Sequence, residues 1–94
     1  MPKYVIERII PNLDDFTNQQ ISDASQTSCD ALNELGSEIE WLHSYVTGSK
    51  LYCVYNAANE DIIREHARRG NFPADSISEV KTTIGPETAK AHAG

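Results

Sequence analysis

Two histidines and one cysteine are the side chains of this sequence best suited to chemistry. His43 lies among aromatic residues in the run WLHSYV, where an imidazole can bind a metal ion, accept a proton or make a pH-sensitive contact. His66 falls in the apolar stripe of a predicted helix and should point at the sheet, where it could share a metal ion with Cys53. For all three residues, hydrogen-bonded or apolar packing is the competing interpretation.

No local motif for a metal ion or for catalysis connects these residues. The sequence contains no Cys-x-x-Cys, no His-x-x-x-His, no EF-hand spacing and no Gly-rich phosphate loop, so folding must assemble any site. Two cysteines are also too few for a protein-held iron-sulfur cluster. Nickel accepts imidazole, carboxylate and sometimes thiolate ligands. Four glutamates lie near the histidine-bearing elements: Glu38, Glu40, Glu65 and Glu79.

Runs of β-branched and aromatic residues bounded by turn signals predict four strands, over residues 3–10, 38–46, 50–57 and 77–84. The Gly48-Ser49 pair suits a type II′ turn that joins the middle two strands in a hairpin. Thr17 and Gln20 have the form of a capping box that begins a helix ending near Gly36. A second helix follows the cap residue Asn59 and ends near residue 70.

The resulting order of elements predicts an α+β, ferredoxin-like β-α-β-β-α-β sandwich, with a four-stranded antiparallel sheet and two helices on one face. The hairpin register places Leu42, Ser44 and Val46 beneath the helices. It places Trp41, His43 and Tyr45 on the open face. Because that face is too apolar to leave in water, we expect a two-fold partner to cover it, which gives a homodimeric α+β barrel with His43 in the seam.

Composition and net charge argue against some classes of binding partner. Apolar residues make up 39% of the 94 residues, and a net charge of -6 opposes binding to nucleic acid or to anionic membranes. No segment predicts a secretory signal or a membrane span, so we expect a cytoplasmic protein. The length predicts one domain, over residues 1–86, followed by a flexible C-terminal tail over residues 87–94.

Three segments together resemble a small bacterial family of unknown function: WLHSYV, YCVY and IREHARRGNFPADSISEV. The resemblance covers the chain to about residue 89. It implies a ferredoxin-like fold in a dimeric α+β barrel, and it implies nickel binding because one type of member binds that ion. His43, Cys53 and His66 stand in the matching segments and are the positions onto which a metal role can be carried.

The leading hypothesis is a cytoplasmic homodimer that binds or sequesters a divalent transition metal, nickel first, without catalysis. One alternative is a cofactor-independent enzyme of the dimeric α+β barrel type that uses His43 or His66 as general base, which requires a cavity beside a histidine. The other is a non-catalytic interaction module in which the histidines and Cys53 are packing residues.

Overall fold

The computed structural model describes residues 1–91 and confirms the ferredoxin-like α+β fold. A four-stranded antiparallel sheet has the strand order β2-β3-β1-β4, with β1 and β3 in the centre. Helices α1 and α2 pack against each other and cover one face. The elements, in chain order, are β1 (Lys3–Ile9), α1 (Asn18–Leu35), β2 (Ile39–Val46), β3 (Lys50–Ala57), α2 (Glu60–Gly70), β4 (Ser76–Glu79) and α3 (Pro86–Ala91).

The central strands show why this sequence forms a two-sided sheet. On β1, alternate residues Tyr4, Ile6 and Arg8 are buried beneath the helices. Their partners on β3 share that inner face, and the side chains between them form the outer face. The core consists of inner-face residues together with Ile63 of α2: Tyr4, Ile6, Ile39, Cys53, Tyr55, Ala57 and Ile63.

A β-bulge in β2 changes the predicted faces. From Val46, which pairs with Leu51, the register runs without a shift as far as His43 opposite Val54, but Trp41 then lies opposite Tyr55. The extra residue at Leu42 therefore turns Trp41 to the inner face, where it packs against the core. The prediction that Trp41 shares the open face with His43 is wrong, because strict alternation cannot anticipate a bulge. Leu42 itself is exposed rather than packed beneath the helices.

Two further expectations about the sheet need correction. The β2-β3 turn is not type II′, because Gly48 does not have positive φ, and the Thr47 side chain accepts from the Lys50 N–H at 3.0 Å. Strand β4 ends at Glu79 rather than at residue 84. Its last bond runs from the Val80 N–H to the Lys3 carbonyl, at the first residue of β1, so the neighbouring strand provides no further partners.

Both helices begin at the predicted caps. The Thr17 hydroxyl accepts from the Gln20 N–H at 3.1 Å, and the Gln20 side chain accepts from the Thr17 N–H at 2.8 Å. Asn59 accepts from the Ile62 N–H at 3.0 Å at the start of α2. That helix ends at Asn71, whose left-handed φ of 57° lets the chain turn back toward the sheet.

The C-terminal segment holds the short helix α3, over most of the residues predicted as a tail. The boundary at residue 86 and the flexibility of residues 87–94 remain predictions, and residues 92–94 lie outside the described part. Within residues 1–91, no helix is both long and apolar enough to cross a bilayer.

The capping box predicts a measurable contribution to stability. Thr17→Ala should lower the free energy of unfolding by about 1 kcal/mol, because the Gln20 N–H at the start of α1 loses the Thr17 hydroxyl as its acceptor. Urea unfolding followed by circular dichroism measures this change. The matched control is Thr27→Ala, since Thr27 is exposed in the same helix and bonds only the Asp23 carbonyl. Equal losses in both variants would contradict the capping role.

Candidate functional site

A cavity of about 540 Å³ lies between the inner face of the sheet and α1. Its wall is mostly apolar and includes Trp41, Leu51 and Phe16. The bulge in β2 is essential to this wall, because it is what brings the indole of Trp41 to the inner face. The polar side chains that reach the cavity are few: Arg8, Ser25, Ser28, Ser44, Tyr55 and Asn71.

Among the described residues that line the cavity, Arg8 is the one that is charged, and it is only 1% exposed. The guanidinium donates to the Pro73 carbonyl and, at 3.3 Å, to the Tyr55 hydroxyl, and it lies 5.6 Å from the centre of the Phe72 ring. Each of these partners is neutral. Within the described part of the chain, no carboxylate pairs with Arg8.

Tyr55 and Ser28 continue the polar wall beside Arg8. Burial raises the pKa of Tyr55 to about 12, with a smaller contribution from Cys53 and opposition from the Arg8 charge. The phenol is therefore neutral at physiological pH. The phenol oxygen accepts a hydrogen bond from Arg8 but carries no negative charge that would offset the guanidinium.

His66 stands behind this wall, with an exposed fraction of 0%. Its Nε2 lies 3.1 Å from the Ser28 hydroxyl, and its ring packs edge-on against Tyr55. Burial first, and the Arg8 charge second, lower the pKa of His66, so the imidazole is neutral near pH 7. Within residues 1–91, its Nδ1 has no hydrogen-bond partner.

The loop after α2 closes this part of the site. Phe72 packs against the His66 ring, with 5.9 Å between ring centres. A Cβ atom at Gly70 would lie 2.2 Å from the Phe72 ring, so glycine at this position gives the ring its space.

The structure does not bring the three predicted metal ligands together. His43 is exposed on the outer face of the sheet, whereas His66 and Cys53 are buried between the sheet and the helices. In the part of the chain that is described, no group of three or more His, Cys, Asp or Glu side chains could hold a metal ion. The donors of a single chain therefore do not fit a complete nickel site.

Sequence reasoning missed Arg8, Ser28 and Tyr55. A signal for Arg8 exists, because alternation along β1 assigns it to the same face as Tyr4 and Ile6. A charged residue in an otherwise buried register deserves to be treated as a candidate site residue. The cavity itself depends on packing that no spacing of residues reveals.

Comparison with known proteins places this geometry in context. A family model described as "Nickel responsive protein SCO4226-like" matches residues 4–80. The crystal structure of SCO4226 from Streptomyces coelicolor A3(2) superimposes with a TM-score of 0.72 at 15% sequence identity, over 87% of this chain and 99% of that chain. This likeness shows the shared fold. No curated protein matches the sequence.

The lowered pKa of His66 predicts a pH dependence of stability. In the unfolded chain the imidazole protonates near its usual pKa of about 6.5, whereas the folded site resists protonation. The contribution of the neutral His66 imidazole to the free energy of unfolding is therefore fully present above pH ~6.5. It is lost as the pH falls toward the pKa of the folded state, by at most about 1.4 kcal/mol per pH unit.

Urea unfolding between pH 5.5 and 7.5 measures this dependence. His66→Gln should remove the part of the slope that belongs to this imidazole, while His43→Gln should keep that part because His43 lies on the opposite side of the sheet. A slope that persists unchanged in His66→Gln would assign the dependence to other groups.

Proposed function

The chain belongs to the SCO4226-like family of nickel responsive proteins, and from this premise we propose that it is a non-catalytic homodimer that binds a divalent transition metal, nickel first. The proposed site lies on the outer face of the sheet and is shared by two subunits. One observation carries this assignment. His43 is an exposed imidazole on that face, whereas the other two candidate ligands are buried beneath the helices.

The chemistry of the outer face supports a metal site there. Glu40 and His43 occupy successive outward positions of β2, on either side of the bulge. Imidazole and carboxylate are ligands that nickel accepts. One chain provides too few such donors in one place, since no cluster of three is present within residues 1–91. A two-fold partner would double the donors, so the proposed site is incomplete without it.

The apolar character of the same face supports the dimer. Tyr45 is 61% exposed, and its ring lies edge-on to His43 with 5.1 Å between ring centres. Val5, Tyr52 and Val54 add apolar surface on neighbouring strands. Burying this patch against its own copy would remove it from water and would bring two His43 imidazoles toward one seam.

A cofactor-independent enzyme is the second candidate, and one observation favours it. The Ser28 hydroxyl lines the cavity and lies 3.1 Å from Nε2 of a neutral histidine, which is an arrangement that can activate a nucleophile. However, no group orients the Nδ1 of His66 within the described residues. Nothing here therefore completes a triad.

Nickel titration tests the metal proposal. Calorimetry on tag-free protein should show one nickel ion per dimer, with binding weakened at least tenfold in His43→Ala because the exposed imidazole is lost. His66→Gln is the matched control and should bind nickel as the wild type does, since His66 faces the opposite side of the sheet. Unchanged affinity in His43→Ala would remove this ligand, and loss in both variants would point to a general effect on folding.

A substitution on the outer face of the sheet tests the proposed dimer. Tyr45→Glu places a charge in the proposed seam and should convert a dimer into a 10.4 kDa monomer by light scattering, with loss of nickel binding. Ile84→Glu is the control, because Ile84 is also an exposed apolar residue but lies outside the sheet. A wild-type monomer, or a monomer that still binds nickel tightly, would refute a shared site.

Hydrolysis of p-nitrophenyl butyrate distinguishes the cofactor-independent enzyme from the non-catalytic metal-binding protein. The metal-binding proposal expects Ser28→Ala and wild type to give the same slow rate. A wild-type rate at least tenfold above that of Ser28→Ala would instead establish the enzyme.

A further inference from the structure

The guanidinium of Arg8 is a buried charge without a countercharge. Charged side chains are seldom fully buried unless they are paired, because removal from water costs on the order of several kcal/mol per ion. Arg8 is 1% exposed and bonds to two neutral oxygen atoms, one from Pro73 and one from Tyr55. The nearby His66 is also neutral near pH 7. In the described part of the chain, no carboxylate lies within ion-pair distance of Arg8.

The space beside Arg8 has the size of a small molecule. The cavity has a volume of about 540 Å³. It falls within the range of about 300–1,000 Å³ that is typical of ligand pockets. Trp41, Leu13 and Ile21 contribute to an apolar wall around this single charge.

We propose that this cavity binds a small amphipathic monoanion, a carboxylic acid with an apolar body, whose carboxylate pairs with Arg8. The ligand's apolar body would replace water against the wall, and its carboxylate would supply the missing countercharge. This site is independent of the proposed metal site, because the cavity lies on the inner face and His43 lies on the outer one.

The contacts of Arg8 favour binding because they hold the group in position. The Pro73 carbonyl, the Tyr55 hydroxyl and the Phe72 ring orient the guanidinium. They use two hydrogen bonds of a group that carries five N–H donors. A guanidinium already fixed in place loses little conformational freedom when a carboxylate arrives.

The charge of the wall selects a carboxylate over a phosphate. Arg8 is the one charged residue among those that line the cavity. One guanidinium balances one negative charge, whereas a phosphate monoester carries nearly two at pH 7. A second buried negative charge would remain unpaired.

The single tryptophan of the chain, Trp41, lines the cavity, so its fluorescence reports binding directly. We would titrate the full-length protein with octanoate, below its critical micelle concentration, and with three probes of equal chain length: 1-octanol, octylammonium and octyl phosphate. Octanoate should change the Trp41 emission saturably, and the neutral and cationic probes should bind at least tenfold more weakly. Octyl phosphate should bind no more tightly than octanoate.

Two variants distinguish the contribution of the Arg8 charge to binding from the contribution of the cavity volume. Arg8→Met should weaken octanoate at least tenfold while leaving 1-octanol nearly unchanged, and Arg64→Met, on the exposed face of α2, is the matched control for lost positive charge. Ser25→Leu keeps Arg8 but fills part of the cavity, so it should weaken both probes. Ser25→Leu also keeps the test decisive if Arg8→Met does not fold.

Several outcomes would overturn the proposal. Equal affinity for octanoate and 1-octanol, or full octanoate affinity in folded Arg8→Met, would show that Arg8 does not recognise the anion. Absence of saturable binding by every probe would mean that the cavity holds only water. Octyl phosphate binding at least tenfold more tightly than octanoate would assign the site to phosphate esters.

Discussion

The pairing of β1 with β3 is the constraint on which the other features depend. Each strand alternates between two environments, so the register between them decides which side chains meet beneath the helices. Tyr4 opposite Tyr55 and Ile6 opposite Cys53 build the core, and Arg8 opposite Leu51 continues the same row toward the cavity. A shift of one residue would exchange this row for Val5 and its outward neighbours. The core and the site would be lost together.

Most of the fold could be predicted from local patterns. The capping box at Thr17, the cap at Asn59 and the hairpin of β2 and β3 around Gly48-Ser49 lie where the sequence indicated. These features depend on neighbours in sequence, which spacing rules describe well. The expectation for His66 was also correct, since it points into the interior.

The candidate site was less predictable, for reasons that are themselves physical. The face of Trp41 depends on one extra residue in β2, and a bulge leaves little trace in an alternating pattern. Arg8 and Pro73 meet although 65 residues separate them. The space beside them results from side chains of several elements, so neither composition nor periodicity reveals it.

The two faces of the sheet have different chemical characters. The outer face exposes His43 and Tyr45, whereas the inner face encloses a positive charge in an apolar cavity. These properties follow from opposite sides of the same strands, because successive side chains point in opposite directions. A ligand on one face therefore need not displace anything on the other. The proposed metal ion and the proposed carboxylate would therefore bind on opposite sides of the same sheet.

The central position of β1 has a consequence for how the protein is made. Both of its neighbours in the sheet, β3 and β4, follow it in the chain and are synthesised later. The Pro73 carbonyl, which accepts from Arg8, is also synthesised later than β1. Contacts of such long sequence separation slow folding and leave an early strand unpaired during translation. The apolar side of β1 therefore gains its full set of sheet neighbours only when nearly the whole domain has been synthesised.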